Sequence, residues 1–279
     1  MCQSCAEGGR RCRDRRRLQE LTNADLAPQQ ADQLPEVDWA AHGPEDGAEA
    51  VWRDYASAIA TETIAVLAEV RAVEGRTTGD VVAAIPAGAR PHGLEFRMKS
   101  PASLARKLRQ RATVSGAARD ASGLQATSDK LTDLLRYTAV TERHDDLPGT
   151  VRSTISGLQQ RGYTVVSAEQ SYVDGNAYKG IHVLVQQGDE RPVEVQFHSE
   201  LSQGVKDENH VDYELERDRR TSPYEDRAAA HHRMAFRSSG IPTPAGLDSL
   251  TEIGGLPLVE KVYPNPYSVA HNENEETSR

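Results

Sequence analysis

Three β-prone segments, 163–173, 180–187 and 193–198, follow one another with only turn residues between them. Asp174-Gly175-Asn176 and Gly188-Asp189-Glu190 supply the reversals, because Asp, Asn and Gly accept the backbone conformations a tight turn needs. A fourth β-prone run, 136–141 (RYTAVT), stands apart from these three. A helical stretch, 147–161, separates it from them, with Val151, Ile155 and Leu158 on one face. This order demands a sheet with helices packed on it. It also excludes an all-helical bundle and an all-β sandwich.

The flanking segments complete the pattern. Val51, Tyr55, Ile59, Ile64, Leu67 and Val70 recur at near-helical spacing, which predicts a packed helix over 50–76 with Gly75 at its end. Residues 94–98 alternate apolar and polar and predict a short strand. Ser100-Pro101 opens a helix over 101–112, with Ser at the N-cap and Pro at N1. Residues 113–125 read as a loop, 127–135 as a short helical turn, and 202–217 and 222–237 as helices. The fold class is α+β, a mixed α/β arrangement in which helices flank a mixed β-sheet. The steady βα alternation of a doubly wound fold is missing, as are GxGxxG and GxxxxGK[ST], which disfavours Rossmann and P-loop folds.

Apolar residues make up only 37% of the 279 residues. A core of that size suits 49–237, with a flexible basic and polar arm at 1–48 and a loose acidic tail at 238–279. No apolar run approaches the ~20 residues of a membrane span, and no apolar region follows the basic N-terminus as in a signal peptide. The expected location is cytoplasmic, with export as an effector left open. The three cysteines, Cys2, Cys5 and Cys12, fall within the first twelve residues and build no disulfide framework. Cys2 and Cys5 have zinc-clamp spacing, but a closed site wants four ligands, so a basic arm able to contact RNA is the better reading. His210 with Glu214, and His231-His232, have metal-ligand spacing without a third ligand.

The net charge of −9 is uneven. Residues 94–200 hold 14 basic and 13 acidic side chains, so the acidity belongs to the flanks. Arg97, Lys99, Arg106, Lys107, Arg109 and Arg111 follow one another with no acid between them. Such a run repels itself and is relieved by a polyanion.

Period-two alternation in 193–199 (VEVQFHS) puts Val193, Val195 and Phe197 on one face and Glu194, Gln196 and His198 on the other. Tyr178 and Lys179 stand at the mouth of the preceding strand, and His182 points opposite to Ile181 and Val183. A Tyr-Lys pair can stack a base and hold a phosphate. Asp133 lies just ahead of the strand at 136, where a carboxylate can hold Mg²⁺ together with substrate phosphates.

Four runs taken in order, R-M-K-S-P-A-S-L-A-R-K-L (97–108), D-L-L-R-Y-T-A-V (133–140), A-Y-K-G-I-H-V (177–183) and V-E-V-Q-F-H (193–198), resemble the synthetase domain of the RelA/SpoT family. The resemblance covers about residues 90–220. It implies a nucleotidyltransferase-like synthetase fold, and pyrophosphate transfer from ATP to the 3′-hydroxyl of a nucleotide. By resemblance, Arg97, Lys99, Ser103 and Lys107 bind ATP, Asp133 and Glu194 hold Mg²⁺, and Glu194 assists the attacking hydroxyl. Tyr178 stacks on the acceptor base, and Lys179, His182, Gln196 and His198 line the acceptor site.

The chain departs from the family pattern in three places. Arg136 and Thr138 replace the Gly and Arg of D-x-x-G-x-R, Y-K-G-I-H replaces Y-R-S-x-H, and His198 replaces the Arg of E-x-Q-x-R-T. Two or three acceptor-phosphate cations are therefore missing or moved. The pattern resembles the toxin-like branches of the family, whose acceptors include adenosine nucleotides or the 3′ end of tRNA, beside the GDP or GTP typical of the family. An antitoxin or immunity protein is an implied partner. The alternative is a catalytically silent nucleotide- or RNA-binding module of the same fold.

Overall fold

The computed structural model describes residues 15–28, 34–37, 39, 47–114, 116, 121–218 and 221–268. Helices α1 (Arg15–Gln19), α2 (Asn23–Leu26), α3 (Ala48–Asp54) and α4 (Ser57–Ala84) lead into strand β1 (Ala89–His92). Helices α5 (Pro101–Val114) and α6 (Ala121–Asp129), strand β2 (Arg136–Thr141) and helix α7 (Leu147–Gln159) follow. Then come β3 (Tyr163–Gln170), β4 (Ile181–Gln187) and β5 (Val193–Ser199). Helices α8 (Glu200–Glu208), α9 (His210–Arg217) and α10 (Tyr224–Ser239) precede β6 (Glu252–Ile253) and β7 (Leu256–Glu260).

The strands form one mixed sheet in the order β1-β2-β5-β4-β3-β7-β6. The β2–β5 and β3–β7 pairs are parallel, and the others are antiparallel. One face of the sheet is the core. Val193, Val195 and Phe197 join Ile181, Val183, Val185, Tyr137 and Ala139 there, all buried. Each large apolar side chain on this face contributes about 1.5–3 kcal/mol by leaving water. Helix α7 packs on β3 and β5, while α4 packs against α5, α6 and α7.

Several boundaries differ from the sequence expectation. The helix expected over 50–76 is two helices, broken at Tyr55, and α4 runs through Gly75 to Ala84. A helical glycine costs about 1 kcal/mol against alanine. Burial of Thr77, Thr78, Val81 and Ala84 beyond it outweighs that cost. Residues 94–96 form a 3₁₀ turn instead of a strand, because Gly93 at φ 63° swings the chain out of β1; Met98 keeps a single bridge to Leu135. The short helix before β2 is 121–129, not 127–135, and 202–217 breaks at Asn209 into α8 and α9.

Both ends contribute more than expected. Leu18, Leu26 and Trp39 are buried, and Trp39 Nε1 donates to the Met98 carbonyl at 3.3 Å. The start of the segment assigned to a loose tail is packed, with Ile241, Leu247, Leu250 and Ile253 buried. Strand β7 covers the β3 edge, pairing Ala168 with Leu258. An uncovered edge would offer unpaired backbone groups to other chains. Cys2, Cys5 and Cys12 and residues 269–279 lie outside the described residues.

A buried polar bolt joins α4 to the sheet. Arg97 Nε donates to Glu74 Oε1 at 2.5 Å, and both side chains are 1% exposed. Arg97 Nη1 donates to the carbonyls of Pro35 and Leu94. Thr78 Oγ1 donates to Glu74 Oε1 at 2.6 Å and lies 2.8 Å from the Tyr137 hydroxyl.

Candidate active site

The second face of the sheet carries the polar residues. Strand alternation aims Glu194, Gln196 and His198 to it from β5. Register brings Arg136 opposite Glu194 and Thr138 opposite Gln196 on one side, and His182 opposite Gln196 on the other.

Glu194 Oε1 accepts from His182 Nδ1 at 3.0 Å and from Gln196 Nε2 at 3.0 Å. Its Oε2 accepts no hydrogen bond from the described residues. Burial pushes the Glu194 carboxyl up, but the His182 and Gln196 hydrogen bonds and the Arg136 charge outweigh it and hold the group below the usual value. Glu194 is therefore an ionised acceptor with one oxygen open to a ligand.

A chain of hydrogen bonds runs from this carboxylate. The Tyr178 hydroxyl lies 2.6 Å from His182 Nε2 and 2.7 Å from His198 Nε2. His198 Nδ1 lies 3.3 Å from Ser202 Oγ, which is 3.4 Å from Ser199 Oγ, which is 2.7 Å from His144 Nδ1. His144 Nε2 reaches the Pro242 carbonyl at 2.9 Å. An ionised Glu194 accepts, so His182 Nδ1 donates. With both imidazoles neutral, Tyr178 then donates to His182, and His198 Nε2 donates to Tyr178. Burial holds the His198 imidazole well below its ordinary value, with the Lys206 charge adding to this, so His198 is neutral at pH 7. Burial raises the Tyr178 phenol well above its ordinary value, and the Glu194 charge raises it further.

Gly180 makes this contact geometrically possible. A Cβ there would lie 2.6 Å from His198 Cε1 and 2.7 Å from the Tyr178 hydroxyl oxygen. The Tyr178 ring meets His182, His198 and Tyr263 edge-on, at centroid distances of 5.2, 5.4 and 6.2 Å.

A second cluster lies ahead of β2. Asp133 Oδ2 accepts from Lys99 Nζ at 2.9 Å and from Lys107 Nζ at 2.6 Å. Lys99 precedes α5 and Lys107 lies within it, so α5 carries part of the basic run to this carboxylate. Burial raises the Asp133 carboxyl, but Lys99 and Lys107 more than reverse it and hold the group well below its ordinary value. Burial lowers the Lys99 ammonium, with Asp133 opposing. Asp133 Oδ1 is buried without a partner. Ser103 is in the first turn of α5, where its backbone N–H donates to Ser100 Oγ and its hydroxyl accepts from Arg106.

Two expected site residues are placed elsewhere. Arg97 is buried in the ion pair with Glu74, so it does not reach the surface that carries Lys99 and Lys107. Lys179 is buried, and its Nζ donates to the Val173 carbonyl at 2.5 Å, tying down the loop before β4. Burial lowers its pKa. The His231-His232 spacing also has a structural explanation, since His231 Nδ1 pairs with Glu216 at 2.8 Å.

Two residues missed in sequence belong to the polar face. Arg136 is exposed at the start of β2, and its charge acts on Lys99, Glu194 and Lys206, so it links the two clusters. Lys206 reaches in from α8, and its Nζ donates to Gln196 Oε1 at 3.0 Å. The sequence shows Lys206 only as one residue of the helix expected over 202–217.

Among the described residues no group of three or more His, Cys, Asp and Glu could hold a metal ion by itself. The orphaned Asp133 Oδ1 is a hard oxygen donor that fits a hard cation. Such a cation would draw its remaining ligands from substrate phosphates, as Mg²⁺ usually does.

No helix among the described residues is long and apolar enough to cross a membrane. No family model matches the chain, and no curated protein matches it in sequence. Among solved structures, the chain is similar to a GTP pyrophosphokinase family protein from Streptococcus pneumoniae. The identity is 13%, over 67% of this chain and 89% of that one, with a TM-score of 0.35. It is similar to the Type VI effector Tas1, solved in complex with its immunity protein, at 18% identity, over 64% and 92% of the two chains, with a TM-score of 0.36. Small alarmone synthetase 1 from Bacillus subtilis, solved with its product pppGpp, matches at 14% identity, over 61% and 85%, with a TM-score of 0.35. Solved structures to which this mixed sheet with flanking helices is similar include a GTP pyrophosphokinase family protein, an alarmone synthetase and an effector.

Proposed function

We propose that the chain is a pyrophosphotransferase, moving the β,γ-pyrophosphoryl group of ATP to the 3′-hydroxyl of a nucleotide or of a tRNA 3′ end. The observation that carries this reading is the disposition of Glu194, ionised, fixed by His182 and Gln196, and open at Oε2. The four ordered motifs that resemble the RelA/SpoT synthetase domain agree with it.

The acceptor oxygen attacks the β-phosphorus, the bond from that phosphorus to the α,β-bridging oxygen breaks, and AMP leaves. Glu194 takes the hydroxyl proton. Lys99 and Lys107 hold phosphate oxygens of ATP, giving up part of their contact with Asp133 as they do so. Mg²⁺, when bound, would be held by Asp133 and Glu194 with substrate phosphates, and would neutralise charge on the transferring group. Positioning and electrostatics supply most of the rate in phosphoryl transfer, and the same logic extends to pyrophosphoryl transfer.

The test is to incubate the protein with γ-labelled ATP and Mg²⁺, with GDP, GTP, ATP or tRNA offered in parallel. Label is expected on one acceptor class and is lost in Glu194→Gln. Label on none, with nucleotide binding intact, would favour a silent binding module. Growth arrest on expression, relieved by the same substitution, would support a toxin role and an immunity partner.

A further inference from the structure

The loop that carries Tyr178, 171–180, is closed at its base. The Ser171 N–H and hydroxyl both donate to the Gly180 carbonyl, at 2.9 and 3.0 Å. Farther out, Asp174 and Gly175 are exposed, and Gly175 has φ 82°. Glycine adds backbone freedom, so closure at the base does not by itself fix the Tyr178 ring. The outer part is held by the segment that follows β7. Asn176, two residues before Tyr178, is 1% exposed. Its Nδ2 donates to the Lys261 carbonyl at 2.7 Å and to the Ser171 carbonyl at 3.0 Å. Its Oδ1 accepts from the Tyr263 N–H at 2.8 Å. The amide thus uses its oxygen and both N–H groups. Exchanging O and N would set acceptor against acceptor and donor against donor, so its orientation is fixed.

The same segment is anchored on either side of this contact. The Lys261 N–H donates to the Gln170 carbonyl at 2.7 Å, extending the β3–β7 ladder, and its Nζ pairs with Glu169 at 3.3 Å. Farther on, the Tyr267 ring packs on Tyr224 and His231 of α10, at centroid distances of 5.4 and 5.6 Å. Between these anchors the Tyr263 ring meets Tyr178 edge-on, an arrangement aromatic pairs favour. Burial raises the Tyr263 phenol, and the charges of Glu169 and Glu194 add to this, so the ring lies beside the polar face. Helix α10 grips the loop from another side, since Ser238 Oγ donates to the Ala177 carbonyl at 2.8 Å.

We propose that Asn176 and Tyr263 are positioning residues, forming a clasp by which the segment after β7 fixes the Tyr178 ring for the acceptor. This rests on the transferase reading of the polar face. The clasp touches no reacting atom and acts through its neighbours. It holds the loop, the loop sets the Tyr178 hydroxyl on His182 Nε2, and His182 Nδ1 is held on Glu194. Lys99 and Lys107 are held by Asp133 instead, so an open clasp is felt by the acceptor and not by ATP.

The experiment uses the full chain in two arms, with thermal melting to report whether each variant is folded. Tyr263→Pro removes the ring and the N–H, whereas Tyr263→Ala removes only the ring, so their difference reads the hydrogen bond. Asn176→Ala opens the clasp from the loop side and decides the matter if the proline variant does not fold. In the first arm no substrate is present. Amide exchange over 171–180 is expected to be roughly tenfold or more faster in Tyr263→Pro than in Tyr263→Ala, with β4 and β5 unchanged, and equally raised in Asn176→Ala over the wild type. Unchanged exchange in a folded variant overturns the clasp. In the kinetic arm, the acceptor KM is expected to be about fivefold or more higher in Tyr263→Pro than in Tyr263→Ala, with the ATP KM within about twofold. Asn176→Ala should show the same split against the wild type. An equal rise in both KM values, or no rise in either, overturns the positioning role. If no acceptor is labelled by the wild type, the transferase reading fails by itself, and the exchange arm still decides whether the clasp exists.

Discussion

Arg136 on β2 and Glu194 on β5 are register partners in a parallel pair, so a cation and the candidate general base face the same substrate space. The pairing lowers the carboxyl of Glu194 without occupying its open oxygen. Glu194→Gln keeps the shape and removes the base. Transfer is expected to fall by about 10²–10⁴-fold, the usual range for a general base. ATP binding is expected to stay within a few-fold, measured by calorimetry on the same preparation. A variant with full activity would remove Glu194 from the mechanism.

Tyr178 offers a ring and a hydroxyl, and the two separate cleanly. Tyr178→Phe keeps the ring but strips the partner from His182 Nε2 and His198 Nε2. The expected cost to folding is about 1–3 kcal/mol, from buried groups left unsatisfied. Transfer should drop at least several-fold, because His182 is no longer held against Glu194. If Phe is as active as Tyr while Ala is inactive, only the ring matters.

The Arg97–Glu74 bolt is a folding determinant. Glu74→Ala leaves a buried guanidinium without its carboxylate, and about 3–5 kcal/mol of stability should be lost. Denaturant midpoints measure this directly. Replacing both residues with well-packed apolar side chains should cost much less than either single change. A near-neutral Glu74→Ala would mean that the pair is solvated in solution.

Local pattern made the polar face of β5 legible, because period-two alternation alone separates Glu194 and Gln196 from Val195 and Phe197. The same rule placed His182. What it could not show was which cations meet that face. Arg97 opens the basic run but points into the core, where Glu74, distant in sequence, awaits it. Lys206 is one of several charges on the helix expected over 202–217, and only the packing of α8 beside β5 turns it toward Gln196. The segment after 238 read as loose because its prolines and glycines break every period. Its burial depends on the β3 edge, a surface that exists only after the sheet has formed.

The missing Cβ at position 180 also constrains how this sequence can change. Any side chain there would collide with His198 and the Tyr178 hydroxyl. Residues 180 and 198 therefore cannot be exchanged independently. A larger residue at 180 becomes tolerable only after the imidazole at 198 has been replaced and the Tyr178 ring, freed of that imidazole, has shifted aside, and a chain that takes the steps in the reverse order passes through a strained intermediate. Two departures that look separate in the sequence are thus one conditional change, and the double variant should be more stable than Gly180→Ser alone.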